Sequence, residues 1–281
     1  MQSKIPVSHF SLERTLKCGQ TFRVFEKDGW FLYPYGNSVL ALKQSENTLE
    51  YKVFGAPLSE EAVRNLMGLN DDIEKINSEL AQRVSGFAKV IDKTLGIRIM
   101  RQIPFETTVS FMFSVQSAIP LIRRRLNVLS ELAGEKIDTP FGAFYTFPKS
   151  ENLRRLSDSE IQSLKLGFRE KWFREFIELY DENKLTEVSR MPFSEKEHAL
   201  LKIKGVGIKV AHCIMLFSMN ELSAFPVDVW IKRGMEELFS VKGTTKKVTE
   251  EGRKMFGKYA GYAQEYIYYY TRKKHGAEGG T

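Results

Sequence analysis

The sequence has few cysteines and no long apolar run. Cys18 and Cys213 are its only cysteines in 281 residues, and two distant cysteines are typical of free thiols in an intracellular protein. They are too few for a four-cysteine iron–sulfur cluster. No segment reaches the roughly 20 consecutive apolar residues of a membrane span, and we recognise no signal peptide. We therefore expect an intracellular protein, cytoplasmic or in the nucleoid if prokaryotic, with no membrane contact.

Metal-ligand patterns are scarce as well, whereas basic charge is in excess. We recognise no zinc motif and no paired-carboxylate metal site. Lys and Arg number 42 against 35 Asp and Glu, which gives a net charge of +7 and a pI of about 9.2. This charge favours a polyanionic partner, although many basic proteins bind no nucleic acid. The hydrophobic content of 42% indicates a folded chain, and its length allows two domains.

The N-terminal part has the composition of a sheet. Residues 20–54 are rich in aromatic and β-branched residues and are interrupted by short turn sequences. They predict four strands, at Thr21–Glu26, Trp30–Tyr35, Val39–Lys43 and Leu49–Phe54. From Ser59 the pattern is helical almost to the end of the chain, and Pro104 is well placed to begin a helix through Met112.

These patterns predict an α+β protein in two parts. We expect an N-terminal antiparallel sheet domain with flanking helices at 1–98, and a mostly helical body at 99–281 that contains a hairpin motif at about 195–217. Ser194–Glu197 has a capping-box sequence that would begin the first helix of this motif. The small, polar tail Gly276–Thr281 is expected to be disordered.

The most informative segment is Leu200–Leu238. A predicted helix leads into the tight hairpin Gly205-Val206-Gly207, and a second helix begins with Ile208 and Lys209. Glycines let the hairpin amides face outward, and a helix N-terminus favours an anion such as a phosphate. Asp228 follows later, after Pro226-Val227. A lysine beside a bound phosphodiester, with a carboxylate available, indicates chemistry on DNA.

Simpler interpretations exist for the same residues. Lys209 taken alone is more often a surface lysine that contacts phosphate than a nucleophile. Asp228 precedes the helical pattern Trp230–Phe239 and would serve as its N-cap. The hairpin by itself also occurs in DNA-binding proteins without catalytic activity.

Three separated motifs together favour the catalytic interpretation. The Leu200–Leu238 segment resembles the helix-hairpin-helix DNA glycosylases, and Lys209 narrows the likeness to the 8-oxoguanine DNA glycosylase branch. Leu16–Arg23 looks like the base-contacting loop of that family, and Tyr259–Gln264 looks like its C-terminal pocket helix. The resemblance covers nearly the whole chain. It implies a sheet packed on a two-part helical body, with the DNA cleft between the helical halves.

The resemblance implies a bifunctional glycosylase and AP lyase that acts in base excision repair as a monomer. Its partner would be double-stranded DNA containing 8-oxoguanine. An unprotonated amine at Lys209 would displace the base, form a Schiff base with the sugar and nick the strand by β-elimination. Asp228 would stabilise the positive charge that grows on the sugar.

The same resemblance implies a pocket for a flipped-out base. Gln264 and Tyr268 lie four residues apart and share a helix face. By the resemblance, Gln264 would bind the hydrogen-bonding edge of the base. Cys213 and Tyr268 would stack on either side of the ring. The carbonyl of Gly19 would accept the N7 hydrogen that 8-oxoguanine has and guanine lacks.

Further residues are implied in holding the DNA. The predicted DNA contacts are Gln116, Phe168, Arg169, Lys204, Gly205 and Gly207. No cofactor is required, but a structural Na⁺ or K⁺ could bind the backbone carbonyls of Leu201, Ile203 and Val206. The better-known eukaryotic enzymes have arginine at the place of Leu121 and tyrosine at that of Phe168, which concerns the base opposite the lesion.

Two alternative functions stay open from the sequence alone. One is an alkylated-base (3-methyladenine-type) DNA glycosylase of the same superfamily, although that branch uses water and an aromatic pocket. The other is a non-catalytic helix-hairpin-helix DNA-binding protein. The pair of Lys209 and Asp228 argues against mere binding, since binding does not require it.

Overall fold

The computed structural model describes residues 2–277 and begins with a five-stranded antiparallel sheet. Its strands are β1 (Gln2–Pro6), β2 (Phe25–Lys27), β3 (Trp30–Tyr35), β4 (Ser38–Ser45) and β5 (Thr48–Gly55). The spatial order is β1-β5-β4-β3-β2. A mostly helical body follows, so the predicted α+β fold is confirmed.

The two ends of the sheet differ from the prediction. Strand β1, which the sequence did not predict, pairs with β5. The predicted strand Thr21–Glu26 is mostly loop, and only Phe25–Lys27 pairs with β3. The loop is held by side chains instead of a strand ladder: the buried Arg23 donates to Glu106 at 3.2 Å and to the carbonyl of Tyr145. These partners lie far along the chain and cannot be seen in the local pattern.

Fifteen α-helices and one short 3-10 helix, Gly257–Tyr259, lie in the described part of the chain. The α-helices are α1 (Leu12–Lys17), α2 (Glu60–Leu66), α3 (Ile73–Arg83), α4 (Ala88–Thr94), α5 (Pro104–Ser114), α6 (Ile119–Ala133), α7 (Ser150–Leu153), α8 (Asp158–Ser163), α9 (Arg169–Leu179), α10 (Glu182–Ser189), α11 (Phe193–Leu201), α12 (Ile208–Ser218), α13 (Val229–Phe239), α14 (Thr245–Phe256) and α15 (Ala260–Lys274). None of these helices is long and apolar enough to cross a membrane.

Helix boundaries follow local chemistry in most places, but not at α11. Pro104 begins α5 as predicted. The predicted capping box is wrong, because α11 already begins at Phe193 after Pro192, and Ser194 lies within its first turn. Of the predicted disordered tail, Gly276 and Ala277 are hydrogen-bonded to the end of α15, whereas residues 278–281 lie outside the described residues.

A small hairpin interrupts the helical region and was not predicted. It comprises β6 (Lys136–Thr139) and β7 (Gly142–Tyr145). Its apolar side chains Ile137, Phe141 and Phe144 pack against one face of the N-terminal sheet. The hairpin therefore covers apolar sheet surface that the helices leave open.

The other face of the sheet forms a core with α1 and α2, whereas α3 and α4 share the core of the helical body. The buried Arg98 ties these parts together, because its guanidinium donates to the carbonyls of Ser8, His9 and Asp71 at 3.0–3.2 Å. The loop between α1 and β2 is held by the buried Gln20, whose side chain donates to the carbonyl of Arg98 and accepts from the amide of Met100, both at 2.8 Å. This loop enters the cleft described next.

Candidate active site

A cleft of about 590 Å³ opens where the α1–β2 loop meets helices α5, α12, α13 and α15. All six residues predicted for catalysis and base binding line it: Gly19, Lys209, Cys213, Asp228, Gln264 and Tyr268. Of the predicted DNA contacts, Gln116, Gly205 and Gly207 line it as well. Residues from five separate stretches of sequence therefore share one cavity.

The two glycines of the hairpin before α12 have different conformations and surroundings. Gly205 has a positive φ of +85°, and a Cβ atom there would lie 2.3 Å from the indole ring of Trp172. Gly207 is the N-cap of α12 in an extended conformation, and a Cβ atom there would meet nothing within 4 Å. No side chain caps this helix. Its first amides are thus available to an anion.

Lys209 is the second residue of α12, and its side chain reaches into the cleft. Its Nζ atom lies 5.0 Å from the centroid of the Phe111 ring. Cys213 follows one helical turn later and is buried. Burial raises the pKa of the Cys213 thiol to about 11, the charge of Lys209 opposes this shift, and Asp228 adds to it. Cys213 is therefore a neutral thiol beside the amine and offers an apolar surface to a ligand.

Asp228 occupies the N-cap of α13, as its position before a helical pattern predicted. Its Oδ1 atom accepts a hydrogen bond of 2.9 Å from the amide of Ile231. Such a cap holds the carboxylate in one orientation at the cleft wall. The side chain can then act on charge that develops in the cavity.

His212 supports the loop that leads to Asp228, a role that the sequence did not reveal. Its Nδ1 accepts from the amide of Phe225 at 2.9 Å, and its Nε2 lies 2.7 Å from Glu197 on α11. Burial lowers the pKa of His212, and the neutral tautomer with Nε2 protonated satisfies both contacts. A histidine beside Cys213 gave no sequence signal for this role, because both partners are remote.

Helix α15 and the α1–β2 loop form the wall opposite Lys209. Gly19 has a φ of +96°, and a Cβ atom there would lie 3.1 Å from the hydroxyl of Tyr268. The glycine lets the loop backbone approach the ring closely. Gln264 is buried, and its Oε1 atom has no hydrogen-bond partner among the described residues.

Glu265 also lines the cleft, and sequence reasoning missed it. The residue is 2% exposed, and its Oε1 atom is buried without a hydrogen-bond partner in the described chain. Burial raises the pKa of the Glu265 carboxyl to about 8, Asp228 adds to the rise, and Cys18 and Arg272 oppose it. The one available signal was an acidic residue in the mostly aromatic and apolar first part of α15.

The structure does not bring the other predicted DNA contacts into the cleft. Arg169 is buried, and its guanidinium donates to the carbonyls of Val115, Gln116 and Leu166. It therefore shapes the segment between α5 and α6. Phe168 is 51% exposed and packs edge-on against Trp172.

Lys204 and the predicted cation site belong to the hairpin. The Lys204 ammonium lies 2.9 Å from Glu175 on the surface. Within residues 2–277, no three His, Cys, Asp or Glu side chains are grouped to hold a metal ion. The cation site predicted at the carbonyls of Leu201, Ile203 and Val206 uses backbone only and stays a prediction. The Ile203 carbonyl accepts from the Val206 amide at 3.0 Å, which closes the turn.

Comparisons with known proteins agree on one family. Residues 3–108 match the family described as 8-oxoguanine DNA glycosylase, N-terminal domain. An N-glycosylase/DNA lyase of Arabidopsis thaliana is 28% identical over 94% of this chain and 78% of its own length. A probable N-glycosylase/DNA lyase of Methanothermobacter thermautotrophicus is 26% identical over 96% of both chains.

Solved structures extend this similarity to the fold of the whole chain. The 8-oxoguanine glycosylase/lyase of Clostridium acetobutylicum in its apo form is 31% identical, with a TM-score of 0.89 over 96% of both chains. The same enzyme in complex with double-stranded DNA containing cytosine opposite 8-oxoguanine gives a TM-score of 0.88 over 98% of both chains. With this identity over nearly its full length, and with the hairpin, lysine and capping aspartate at one cleft, the chain belongs to the 8-oxoguanine DNA glycosylase family of the helix-hairpin-helix superfamily.

Proposed function

We propose that this protein is a bifunctional DNA glycosylase and AP lyase that excises 8-oxoguanine from duplex DNA in base excision repair. One observation carries the proposal: Lys209, which follows a hairpin with uncapped amides, lines the same cleft as Asp228. Relatives over nearly the whole chain are named N-glycosylase/DNA lyase and 8-oxoguanine glycosylase/lyase.

The reaction begins when the damaged nucleotide is flipped out of the duplex into the cleft. The neutral amine of Lys209 attacks C1′ of the sugar, and the electrons of the bond between C1′ and the base leave with the base. The carboxylate of Asp228, fixed by its cap, stabilises positive charge on the sugar as that bond breaks.

Strand nicking follows from the same covalent intermediate. The Lys209 nitrogen forms a Schiff base with C1′ after the sugar ring opens. This iminium acidifies a hydrogen on C2′, and loss of that proton expels the 3′ phosphate by β-elimination. One amine therefore serves both steps.

The pocket residues distinguish the oxidised base. The carbonyl of Gly19 accepts the N7 hydrogen of 8-oxoguanine. In guanine N7 carries no hydrogen, so the Gly19 carbonyl would face another acceptor. Gln264 offers its unpartnered Oε1 to the hydrogen-bonding edge of the base. Cys213 and Tyr268 contact the two faces of the ring, and a neutral thiol suits that role because it carries no charge to desolvate.

The protein acts as a monomer on DNA without a required cofactor. Gln116, Phe168, Lys204, Gly205 and Gly207 contact the duplex, and Arg169 positions the Gln116 segment through its carbonyls. A Na⁺ or K⁺ ion on the carbonyls of Leu201, Ile203 and Val206 would bridge the hairpin to a phosphate.

The alternatives fit the cleft less well. A branch that uses water needs no lysine beside the base pocket. A non-catalytic binder needs neither the capped carboxylate of Asp228 nor the cavity. Lys209 pointing over Phe111 into the cleft, beside Cys213, favours covalent chemistry.

Borohydride trapping tests the proposal directly. We expect the wild-type protein to form a covalent adduct with 8-oxoguanine duplex in the presence of borohydride, and to form none with a matched guanine duplex. The Lys209→Gln variant should lose trapping, base excision and nicking while it keeps most of its affinity for the lesion duplex, because phosphate contacts supply most of that affinity. Normal excision by the variant would exclude Lys209 as the nucleophile.

A further inference from the structure

Glu265 is a charged residue type in a place where a charge is costly. It lines the base cleft, it is 2% exposed, and its Oε1 atom has no hydrogen-bond partner among the described residues. A buried polar oxygen without a partner costs free energy unless a ligand satisfies it. The carboxyl group also has a hydrogen bond with the thiol of Cys18, so the unpartnered Oε1 is the atom left for a ligand.

The other polar groups of the pocket leave one need unmet. The carbonyl of Gly19 and the unpartnered Oε1 of Gln264 are hydrogen-bond acceptors. An oxidised purine such as 8-oxoguanine carries N–H donors for them, but it also carries two carbonyl oxygens that require donors. The side-chain amide of Gln264 also carries N–H donors that can serve one of these oxygens, and a further neutral donor is needed for the other.

We propose that Glu265 is a specificity-determining residue that donates a hydrogen bond from its protonated carboxyl group to a carbonyl oxygen of the flipped-out base. The proposal rests on the proposed excision of 8-oxoguanine and adds a donor to its pocket. A neutral carboxyl group carries one O–H donor, and an enzyme can keep such a group neutral to bind a carbonyl.

The surroundings keep Glu265 in this form. Burial raises the pKa of its carboxyl to about 8, and the negative charge of Asp228 adds to the rise. The protonated form therefore predominates at neutral pH and is lost as the pH rises through about 8. Cys18 and Arg272 oppose the shift.

The titration of Glu265 must be distinguished from that of the other titratable groups around it. Burial raises the pKa of Cys18 and Cys213 above the usual range of a thiol, so both stay neutral where Glu265 ionises. Among the described residues, the other charged or titratable groups that line the cleft or act on Glu265 are Lys209, Asp228, Lys232, Tyr268 and Arg272. Wild type and the Glu265 variants share these groups, so the ratio of wild-type to variant excision rates reports the titration of Glu265 alone.

Two variants test the donor. Glu265→Met keeps a similar volume without a polar group, and it should slow single-turnover excision of 8-oxoguanine roughly three- to tenfold, the effect of one hydrogen bond. Nicking of pre-formed abasic DNA should fall less, because that substrate has no base. Glu265→Gln keeps an N–H donor that does not titrate, and it should restore excision near pH 7.

The pH dependence of excision is the measurement that a purely structural role of Glu265 would not affect. The ratio of wild-type to Glu265→Gln excision rates should be near one at about pH 7 and fall at least roughly threefold by about pH 9.5, when wild-type Glu265 has ionised. Tyr266→Phe is the matched control. Tyr266 lies on the same helix but outside the cleft, and the substitution removes its hydrogen bond to Asn77. The ratio of wild-type to Tyr266→Phe excision rates should not change with pH.

Three outcomes would overturn the inference. They are a ratio that stays flat or rises above pH 8, Glu265→Met excision equal to wild type, and equal loss of excision and nicking in Glu265→Met. Absence of excision by the wild-type protein itself would instead reject the proposed function together with this inference.

Discussion

At the residue scale, one side chain can serve the fold and the chemistry together. Asp228 caps α13 through the amide of Ile231, which is a stabilising role. The same bond fixes the carboxylate at the cleft wall, where a fixed negative charge stabilises a cation better than a mobile one. The two roles predict different responses to substitution, so they can be separated.

Asp228→Asn tests the charge while most of the cap is kept. Asparagine accepts the same amide hydrogen bond but carries no negative charge, so single-turnover excision should fall by at least about a hundredfold. The change in melting temperature should be small. Excision within a factor of about three of wild type would contradict the electrostatic role. A large loss of thermal stability instead would indicate that capping is the main role of Asp228.

Gln264→Ala tests the reading of the base. Excision of 8-oxoguanine should weaken by roughly 1–3 kcal/mol of transition-state binding, as for a lost base contact. Lyase action on a pre-formed abasic site should persist, since that substrate has no base for Gln264 to contact. Equal loss on both substrates would assign Gln264 to the scaffold.

At the element scale, the conformation of the hairpin before α12 is supported by the packing of Trp172. Trp172 on α9 packs on Gly205, while Gly207 faces open space at the N-terminus of α12. The sequence shows two equivalent glycines, but the structure gives them different reasons. Gly205 is required by positive φ and close packing, whereas Gly207 leaves room for a ligand beside the first amides of α12.

This difference predicts unequal effects on stability. Gly205→Ala places a methyl group 2.3 Å from the Trp172 ring at a positive φ, and it should lower the free energy of unfolding by about 2–4 kcal/mol. Gly207→Ala is the matched control, and its effect on unfolding should stay below about 1 kcal/mol. Denaturant titration of both variants measures this, and similar losses would refute the bracing by Trp172.

At the scale of the whole molecule, the cleft is assembled from segments that lie far apart in the sequence. The α1–β2 loop supplies Gly19, and the helical body supplies the lysine, the aspartate and α15. The segment between α5 and α6 brings Gln116 to the cleft, shaped by Arg169. On the surface nearby, Leu121 and Phe168 are 47% and 51% exposed.

This surface predicts a relaxed preference for the base opposite the lesion. Leu121 has no donor, Phe168 has no hydroxyl, and the guanidinium of Arg169 is occupied by backbone carbonyls. Each missing polar contact removes roughly 1–3 kcal/mol of discrimination. Single-turnover excision from four duplexes that differ only in the opposite base should therefore give similar rates. A preference for cytosine above about a hundredfold would contradict the prediction.

Much of the fold could be predicted because local patterns govern it. The composition of β3, β4 and β5 with the turns between them, the start of α5 at Pro104 and the cap at Asp228 depend on near neighbours in sequence. Strand β1 and the β6–β7 hairpin could not be predicted, since their pairing and their covering of the sheet depend on distant surfaces.

For the site, the sequence by itself determined which residues could carry the chemistry. The glycines and Lys209 form one local motif, and Asp228 stands before a helix, so backbone geometry alone favours an anion and a fixed carboxylate there. Only the tertiary structure decided which polar groups are buried and left unpaired. It placed Glu265 in the wall of the base cleft with an unpaired oxygen and paired the guanidinium of Arg169 with backbone carbonyls. Burial and partners depend on elements far apart in the chain, and no local pattern contains that information.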